Sequence, residues 1–462
     1  MRQALKLDVW DLTYMYGSQR VFQRLGQLDA ACRPRRGVAL RLAAHVWRFK
    51  KSLKKCGASR RMRVAPRSVC LFAFSINQAA SLSPIAKALP DAYLMGEAAG
   101  VLPVPFLAQV YSLSFLFLPV VCANYLRSRG YRKEAANYIL DQHLLAYGYY
   151  MAARLWFRRA LPSVVVLSND HLMTHRVLAT AARHEGVPTV YVQHASVTDE
   201  FPPLSFDYAL LDGYDALRVY DAAGPSDAKV FLVGMAKFDR YASSVNTRRA
   251  ARAVGVCTNV LDPLERVEEL CSELTARLQG VSLILRPHPA DKRTDVWKSL
   301  SGRYGLELSD SRAEASFDFL RRIDVLVAGN SNIQLEAALL DVYPIYFDYA
   351  QDSQLQKYSF VDSGLCEYIA DASAVVRRLE VLQGDKPSVR QKARLYCATV
   401  GTVYDGRSSE LAARLLQEIA AGGTPDLGRW RRVPGVGLEA YQLSDGSGEY
   451  GQAPALSALA AR

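Results

Sequence analysis

The sharpest chemical signal in the sequence is a short apolar run, Leu283–Pro289 (LILRPHP), that ends in Arg, Pro, His and Pro. Prolines on both sides of His288 keep the backbone out of the α region, which predicts that the imidazole lies at the carboxyl end of a strand. Open α/β sheets bind ligands at that end. The side chains of Arg286 and His288 can both donate to phosphate oxygens. The alternative is a histidine that caps a turn.

A second signal follows in residues 323–347 (IDVLVAGNSNIQLEAALLDVYPIYF), which read as strand, small polar loop, helix and strand. A loop of Gly and small polar residues that opens a helix presents free N–H groups, which favour a phosphate. Glu336 lies one turn into the helix, where its carboxylate can accept ribose hydroxyls. The alternative is an ordinary capped helix. Together with the R-P-H-P strand end, the loop predicts a nucleotide phosphate site at Arg286, His288, Asn330, Ser331, Asn332 and Glu336.

The amino-terminal half carries two polar stretches that begin at predicted strand ends, SNDHLMTH at residues 168–175 and VYVQHASVTDEFPPLSFD at residues 190–207. Asp170 and His194 are the candidates for a general base that deprotonates a hydroxyl, a role worth about 10²- to 10⁴-fold in rate. The acceptor side is predicted at Asn169, His171 and Gln193. The alternative is that these groups satisfy the backbone at strand ends.

The sequence contains two further candidates, Glu97 and a pair of histidines. Glu97, in GEAAG, is a third acidic residue that could act in catalysis or be a solvated charge at a helix start. His171 and His175 have a metal-ligand spacing, but the glutamate of H-E-x-x-H and a third ligand are missing. We therefore predict no metal and no cofactor.

The composition is that of a globular protein, since 50% of the 462 residues are hydrophobic and 22% are charged. The formal charge of +12 favours anionic partners. Residues 30–90 contain no acidic residue, and residues 98–126 carry no charge at all. A basic segment beside an apolar one is typical of a protein lying on an anionic membrane, although a membrane span or a buried helix pair would fit the uncharged run too. Nucleic acid is not expected, because the basic block lacks a recognisable binding motif.

The compartment is predicted to be the cytosol, with the protein on the inner face of the cell membrane. The eight cysteines have no C-x-x-C spacing, which argues against a disulfide framework, and the amino end does not resemble a secretory signal.

Alternation of short apolar runs with amphipathic stretches predicts an α/β fold of two Rossmann-like domains that face a cleft, with an extra helical and apolar insertion in the first. The first domain is predicted at residues 1–240 and the second at 241–420. Residues 421–462 are rich in Gly, Pro, Ser and Ala and are predicted to be a poorly ordered tail.

The motifs, in this order, resemble those of bacterial GT-B glycosyltransferases of capsule and surface-polysaccharide assembly. They are Gln193-His194, the G-x-x-K-F-D stretch 234–239, R-P-H-P at 286–289 and G-N-S-N-x-x-L-E-A at 329–337. The similar groups are the capsule Kdo-transferases and polysialyltransferase-like enzymes and, more distantly, the teichoic-acid polymerases. The resemblance covers about residues 160–350. It departs at Ala195, where the capsule groups have Gly, and at Asn332, where the polysialyltransferase-like groups have Ser.

The resemblance implies that Arg286, His288, Ser331 and Asn332 bind the phosphates of the donor nucleotide and that Glu336 contacts its ribose. The implied activity is metal-independent transfer of a sugar from a CMP- or UDP-type donor to a glycan or lipid-linked acceptor. Nucleotide-sugar 2-epimerases share the two-domain fold and a similar phosphate loop, so epimerisation is an alternative. A catalytically silent scaffold of a polysaccharide-assembly complex is another.

Overall fold

The strands of the protein form two sheets. The structure is a computed structural model that describes residues 1–24, 37–61, 63–351, 358–423 and 425–444, without the side chains of residues 54–61. In chain order the strands are β1 (Val69–Ala73), β2 (Ala92–Gly96), β3 (Leu102–Pro103), β4 (Val164–Leu167), β5 (Thr189–Val192), β6 (Tyr208–Leu211), β7 (Lys229–Leu232), β8 (Ala253–Thr258), β9 (Ser282–Pro287), β10 (Glu307–Leu308), β11 (Val325–Ala328), β12 (Tyr343–Phe347), β13 (Glu367–Ile369), β14 (Trp430–Arg432) and β15 (Ala440–Leu443).

The helices alternate with these strands through most of the chain. They are α1 (Val9–Leu12), α2 (Tyr14–Gly17), α3 (Val38–Arg61), α4 (Ile76–Lys87), α5 (Leu107–Ser114), α6 (Leu118–Arg127), α7 (Tyr131–Ala160), α8 (Met173–His184), α9 (Tyr214–Ala223), α10 (Leu264–Arg277), α11 (Thr294–Tyr304), α12 (Ser316–Leu320), α13 (Ile333–Leu339), α14 (Ala372–Gly384) and α15 (Ser408–Ala420).

The first sheet has nine strands in the order β14-β15-β7-β6-β5-β4-β1-β2-β3, and only the β14–β15 pair is antiparallel. Strands β1 and β4 (VCLFA and VVVL) are buried along their whole length. Continuous apolar runs of this kind suit parallel strands that helices cover on both faces. The carboxyl ends of β4, β5 and β6, where Asn169, Gln193 and Asp212 follow, meet at one edge of this sheet.

The second sheet has six strands in the order β10-β9-β8-β11-β12-β13, all parallel. Its centre is β8 beside β11, and the loop of residues 329–332 follows β11. The architecture confirms the predicted α/β class with two parallel-sheet domains. Residues 323–347 follow the predicted order of strand, loop, helix and strand, as β11, residues 329–332, α13 and β12.

A helical layer precedes and interrupts the first sheet. Among the described residues, one stretch, Leu107–Arg127, is long and apolar enough to cross a membrane by length and composition alone. The chain there forms α5, a 3₁₀ turn at Phe115–Phe117 and α6, and the ring of Phe117 stacks on Tyr147 of α7 with centroids 4.6 Å apart. Residues 107–126 of the uncharged run therefore form a broken helix that packs against α7.

The carboxyl end of the chain differs from the prediction, because it returns to the first domain. Helix α15 packs against α4 and β4, and Leu411 and Leu415 belong to the same apolar cluster as β1. Residues 430–443, predicted to lie in a poorly ordered tail, form β14 and β15, and β15 pairs with β7. This pairing buries Trp430 and Leu443. Residues 445–462 lie outside the described residues.

Candidate functional site

The site is built at the edge where the carboxyl ends of the parallel strands of the first sheet meet residues of the second domain. Ser196, four residues past β5, donates from its hydroxyl to Oδ1 of Asn332 at 2.5 Å and from its backbone N–H to the same atom at 3.3 Å. Asn332 is the last residue of the loop after β11. The loop after β5 and the predicted phosphate loop are therefore in direct contact.

Asp170 and His171 form a hydrogen-bonded pair just past β4. Oδ1 of Asp170 accepts from His171 Nδ1 at 2.8 Å, and Oδ2 accepts from the Tyr220 hydroxyl at 2.6 Å. Both carboxylate oxygens are thus occupied, and Asp170 is almost completely buried. The carboxylate holds the imidazole with its proton on Nδ1, which leaves the lone pair on Nε2. The predicted base Asp170 is in the position of a residue that orients His171.

Asn169 shapes the turn that presents this pair. Its Oδ1 accepts from the backbone N–H groups of His171 at 3.0 Å and Leu172 at 2.7 Å, and its Nδ2 donates to His171 Nε2 at 3.2 Å. The ring of Phe201 lies against His171 with centroids 4.5 Å apart. Asn169 and Phe201 therefore fix the orientation of the imidazole.

Gln193 and His194 follow β5. The amide of Gln193 accepts from the backbone N–H of Asp212 at 2.8 Å and donates to the carbonyl of Ala195 at 2.9 Å, so it joins two loops. Burial, followed by the positive charges that His171 and Lys237 can carry, lowers the pKa of His194 to about 4. A histidine with that pKa is neutral at pH 7 and can accept a hydrogen bond or a proton.

Asp212 is a site residue that the sequence analysis missed. It follows β6 and is buried, yet its carboxyl oxygens accept no hydrogen bond from the part of the chain that the structure describes. Burial raises the pKa of this carboxyl well above its ordinary value, and the charge of Lys237 opposes that rise. The signal that could have found it is its position, since it follows an apolar strand as Asn169 and Gln193 do.

Lys237 is the second residue without an assigned role in the sequence analysis. Its Nζ lies 2.7 Å from Oε1 of Glu336, and the two side chains are only 12% and 8% exposed. Asn332 Nδ2 donates to the same carboxylate oxygen at 3.4 Å. The predicted ribose ligand Glu336 therefore lies in an interdomain ion pair, and the described residues leave its Oε2 without a hydrogen bond.

Arg286 and His288, the two phosphate-binding candidates of the R-P-H-P strand end, differ from each other in burial. Arg286 is buried, donates to the Ser309 hydroxyl and the Glu314 carbonyl at 2.7 Å each, and lies over the ring of Phe319. Two of its five N–H donors are thus used within the domain. His288 is exposed, and its Nδ1 accepts from the backbone N–H of Ala290 at 3.1 Å. Its proton is therefore on Nε2, which can donate to an anion.

The remaining loop residues carry mostly local hydrogen bonds. The backbone N–H of Ile333 donates to the hydroxyl of Ser331 at 3.5 Å, and Asn259 Nδ2 donates to the carbonyl of Asn330 at 3.4 Å. Asn259 follows β8, where the buried hydroxyl of Thr258 has no partner within the described ranges. The loops after β8 and β11 together line the second domain's side of the site.

Glu97 lies apart from these groups. It is exposed just past β2, and burial together with the charge of Glu97 raises the pKa of the neighbouring Tyr149 well above its usual range. Among the described residues, no hydrogen bond or ion pair joins Glu97 to Asp170 or His194.

His171 and His175 do not lie on one helix, because α8 begins at Met173, so their spacing is not that of two metal ligands on one helix. His175 is fully buried and its Nε2 lies 3.2 Å from Oε1 of Gln78. Over the ranges that the structure describes, no cluster of three or more His, Cys, Asp or Glu side chains is arranged to hold a metal ion.

Comparison with known proteins gives matches only at the level of structure. No family model matches the chain. No curated protein matches it by sequence either. A Listeria monocytogenes protein assigned as a UDP-N-acetylglucosamine 2-epimerase superposes with a TM-score of 0.53 at 12% identity, over 78% of this chain and 98% of that one.

Two other solved structures are similar. The Neisseria meningitidis UDP-GlcNAc 2-epimerase bound to UDP-GlcNAc gives a TM-score of 0.50 at 11% identity, over 77% of this chain and all of that one. The wall teichoic acid polymerase TagF gives 0.49 at 10% identity, over 83% and 98%.

The chain has the GT-B fold. At these identities the likeness establishes the arrangement of the two domains. The superposition includes 98% of the Listeria protein, whereas about a fifth of the present chain has no counterpart in that protein.

Proposed function

We propose that the protein is a glycosyltransferase that moves a sugar from a CMP- or UDP-type donor to a glycan or lipid-linked acceptor in bacterial surface-polysaccharide assembly. The observation that carries the proposal is the contact between the two edges, in which Ser196 meets Asn332 and Lys237 meets Glu336. It brings the imidazole of His171, whose Nε2 accepts from the amide of Asn169, and a set of phosphate-binding donors to opposite sides of one cleft.

The donor is held in the second domain. The Nε2 proton of His288 and the loop of residues 330–332 supply hydrogen-bond donors for the phosphates, and Oε2 of Glu336 accepts ribose hydroxyls. Donors preorganised around the leaving phosphate stabilise the charge that develops on it, so the transfer can proceed without a metal ion or a bound cofactor.

The acceptor is activated in the first domain. His171 Nε2 takes the proton of the acceptor hydroxyl, and Asp170 stabilises the resulting imidazolium. The hydroxyl oxygen then bonds to the anomeric carbon while the bond from that carbon to the phosphate oxygen breaks. The electron pair stays on the phosphate. His194, neutral at pH 7, and Gln193 line the same edge.

The proposal also includes binding to a membrane through the exposed face of α3. On α3, Leu40 and Trp47 are 63% and 61% exposed and, seven residues apart, lie on the same face of the helix. The ammonium of Lys51 is 5.3 Å from the centroid of the Trp47 ring. Lys50 is exposed beside them. An apolar strip flanked by lysines suits the surface of an anionic bilayer, where each basic residue adds about 1 kcal/mol. We place the protein in the cytosol on the inner face of the cell membrane, where a lipid-linked acceptor would lie.

A second candidate is nucleotide-sugar 2-epimerisation. The carboxyl of Asp212, whose pKa is raised by burial, is suited to an acid that delivers a proton to carbon. The basic and apolar face of α3 favours transfer, because an epimerase acts on a soluble substrate and needs no lipid surface.

The test separates these functions. Purified protein is first screened by thermal shift against CMP, CDP, UDP, GDP and ADP, because a ligand that binds only the folded state raises its stability. The matching nucleotide sugar is then incubated with and without a membrane extract as acceptor. Nucleotide release that requires the extract supports transfer, and an epimeric sugar formed without it supports epimerisation. Binding without either product would favour a silent scaffold.

A further inference from the structure

The G-x-x-K-F-D stretch at residues 234–239 joins the two domains, and most of it is structural. Gly234 has φ +75°, and a Cβ there would lie 2.1 Å from Oγ1 of Thr399. Oδ1 and Oδ2 of Asp239 accept from the backbone N–H groups of Ser408 and Ser409 at the start of α15. Phe238 is buried against Phe317. Lys237 is the member of the stretch whose charged end reaches the cleft.

The ammonium of Lys237 has unused hydrogen-bond donors. Of its three N–H donors, one is used by Oε1 of Glu336, and no other described residue accepts from it. A side chain that is 12% exposed has little access to bulk water. Taking a lysine ammonium out of water is costly unless its N–H donors find partners in the protein or a ligand. A largely buried lysine with unused donors is therefore suited to bind a further anionic group.

Its position lies between the two halves of the site. Glu336 Oε1, which holds Nζ, also accepts from Asn332 in the loop after β11. On the other side, burial and the charge of His171 lower the pKa of His194, and the charge of Lys237 lowers it further. The charge of Lys237 also opposes the burial that raises the pKa of Asp212. The ammonium is therefore within electrostatic reach of the acceptor edge while it is tied to the phosphate loop.

We propose that Lys237 donates to a phosphate oxygen of the bound donor nucleotide and neutralises the charge that develops on the leaving phosphate, and that Glu336 is the positioning residue that aims the ammonium. The inference rests on the proposed function and adds a residue to it. When the bond from the anomeric carbon to the phosphate oxygen breaks, the electron pair remains on that oxygen, beside Nζ.

The experiment compares nucleoside, monophosphate and diphosphate binding by calorimetry, with the base that the thermal-shift screen selects. Lys237→Met is expected to weaken diphosphate binding by about 10- to 100-fold, the equivalent of one charge-assisted hydrogen bond. Nucleoside affinity should stay unchanged, because the base and ribose do not contact Nζ. Lys237→Arg should keep most of the diphosphate affinity.

Arg154→Met is the matched control, since it breaks a similarly buried ion pair with Glu185, remote from the cleft, in which both side chains are 11% exposed. If Lys237→Met does not fold, Lys237→Met/Glu336→Gln, compared with Glu336→Gln alone, removes the unpaired buried carboxylate and makes the same measurement.

Three results would overturn the inference. Diphosphate affinity that is unchanged in a folded Lys237→Met protein excludes a phosphate contact. An equal loss of nucleoside and diphosphate affinity shows a structural role, and leaves the proposed donor binding intact. Failure of every nucleotide to bind the unmodified protein removes the proposed function and the inference with it.

Discussion

His171 donates from Nδ1 to Oδ1 of Asp170 at 2.8 Å, while Oδ2 of the same carboxylate accepts the Tyr220 hydroxyl. A carboxylate engaged at both oxygens is a poor candidate to abstract a proton itself. It is well placed to fix the tautomer of the imidazole and to stabilise its protonated form, as carboxylate–histidine pairs do in other enzymes.

This pair predicts the behaviour of Asp170→Asn. An amide has an acceptor oxygen at only one of the two carboxylate positions, so either His171 or Tyr220 loses its acceptor. We expect kcat to fall by about 10²- to 10⁴-fold with little change in donor affinity. The measurement is nucleotide release at saturating donor together with calorimetric donor binding. Tyr220→Phe, which leaves the His171 contact in place, is the control, and full activity in Asp170→Asn would refute the role of the pair.

Buried histidines predict that the protein loses stability in mild acid. Burial lowers the pKa of both His143 and His194 to about 4, from an ordinary value near 6.5. Between these values the unfolded chain binds more protons than the folded one, so the free energy of unfolding falls as pH drops from about 6.5 towards 4. At 1.36 kcal/mol per unit, each histidine contributes about 3 kcal/mol to the change.

Urea unfolding at pH 7.5 and pH 5 measures this dependence. In His143→Gln the difference between the two pH values should shrink, since the Gln side chain does not titrate. His171→Gln replaces an imidazole that is hydrogen-bonded to a carboxylate and serves as the comparison. An unchanged pH dependence in His143→Gln would contradict the prediction.

Asp212 predicts a pH dependence of stability opposite to that of the buried histidines. Its pKa is raised in the folded state, so the folded protein binds more protons than the unfolded chain above about pH 3.8, and the contribution of this carboxyl to stability is lost as pH rises. Asp212→Asn should therefore be more stable than the unmodified protein at pH 8, with a smaller gain at pH 4. Thermal unfolding at the two pH values tests it, and equal or lower stability at pH 8 would show that the carboxyl is compensated.

The outward face of α3 predicts binding to anionic vesicles. In a sedimentation assay, the protein should pellet with vesicles of equal parts phosphatidylcholine and phosphatidylserine and remain in the supernatant with phosphatidylcholine alone. Added salt should release it, because the lysine contribution is screened. Leu40→Ser/Trp47→Ser should weaken the binding, because exposed apolar area is lost.

Val403→Ser is the matched control for that experiment, since Val403 is 79% exposed in the segment between α14 and α15. If the double variant on α3 pellets as well as the unmodified protein does, this helix is not the contact surface.

Several elements were predictable because local periodicity decides them. Residues 323–347 were predicted as strand, loop, helix and strand, and they form β11, a loop, α13 and β12. Helix α7 was not predicted, because it packs against α3, α5, α6 and α8 and its buried residues lie on more than one face. Such a helix lacks the single apolar stripe on which sequence periodicity depends.

The α/β class, the alternation of elements and the polar residues at strand ends are predictable from the sequence, because they follow from the local order of apolar and polar side chains. The partners of each polar residue depend instead on how the folded chain packs. Arg286 is turned towards Ser309 and Glu314, and the chain beyond residue 407 returns to pair β15 with β7. Lys237 acquired its partner from a helix 99 positions away in the chain. Contacts between distant residues depend on how the two sheets pack, and no local pattern encodes them.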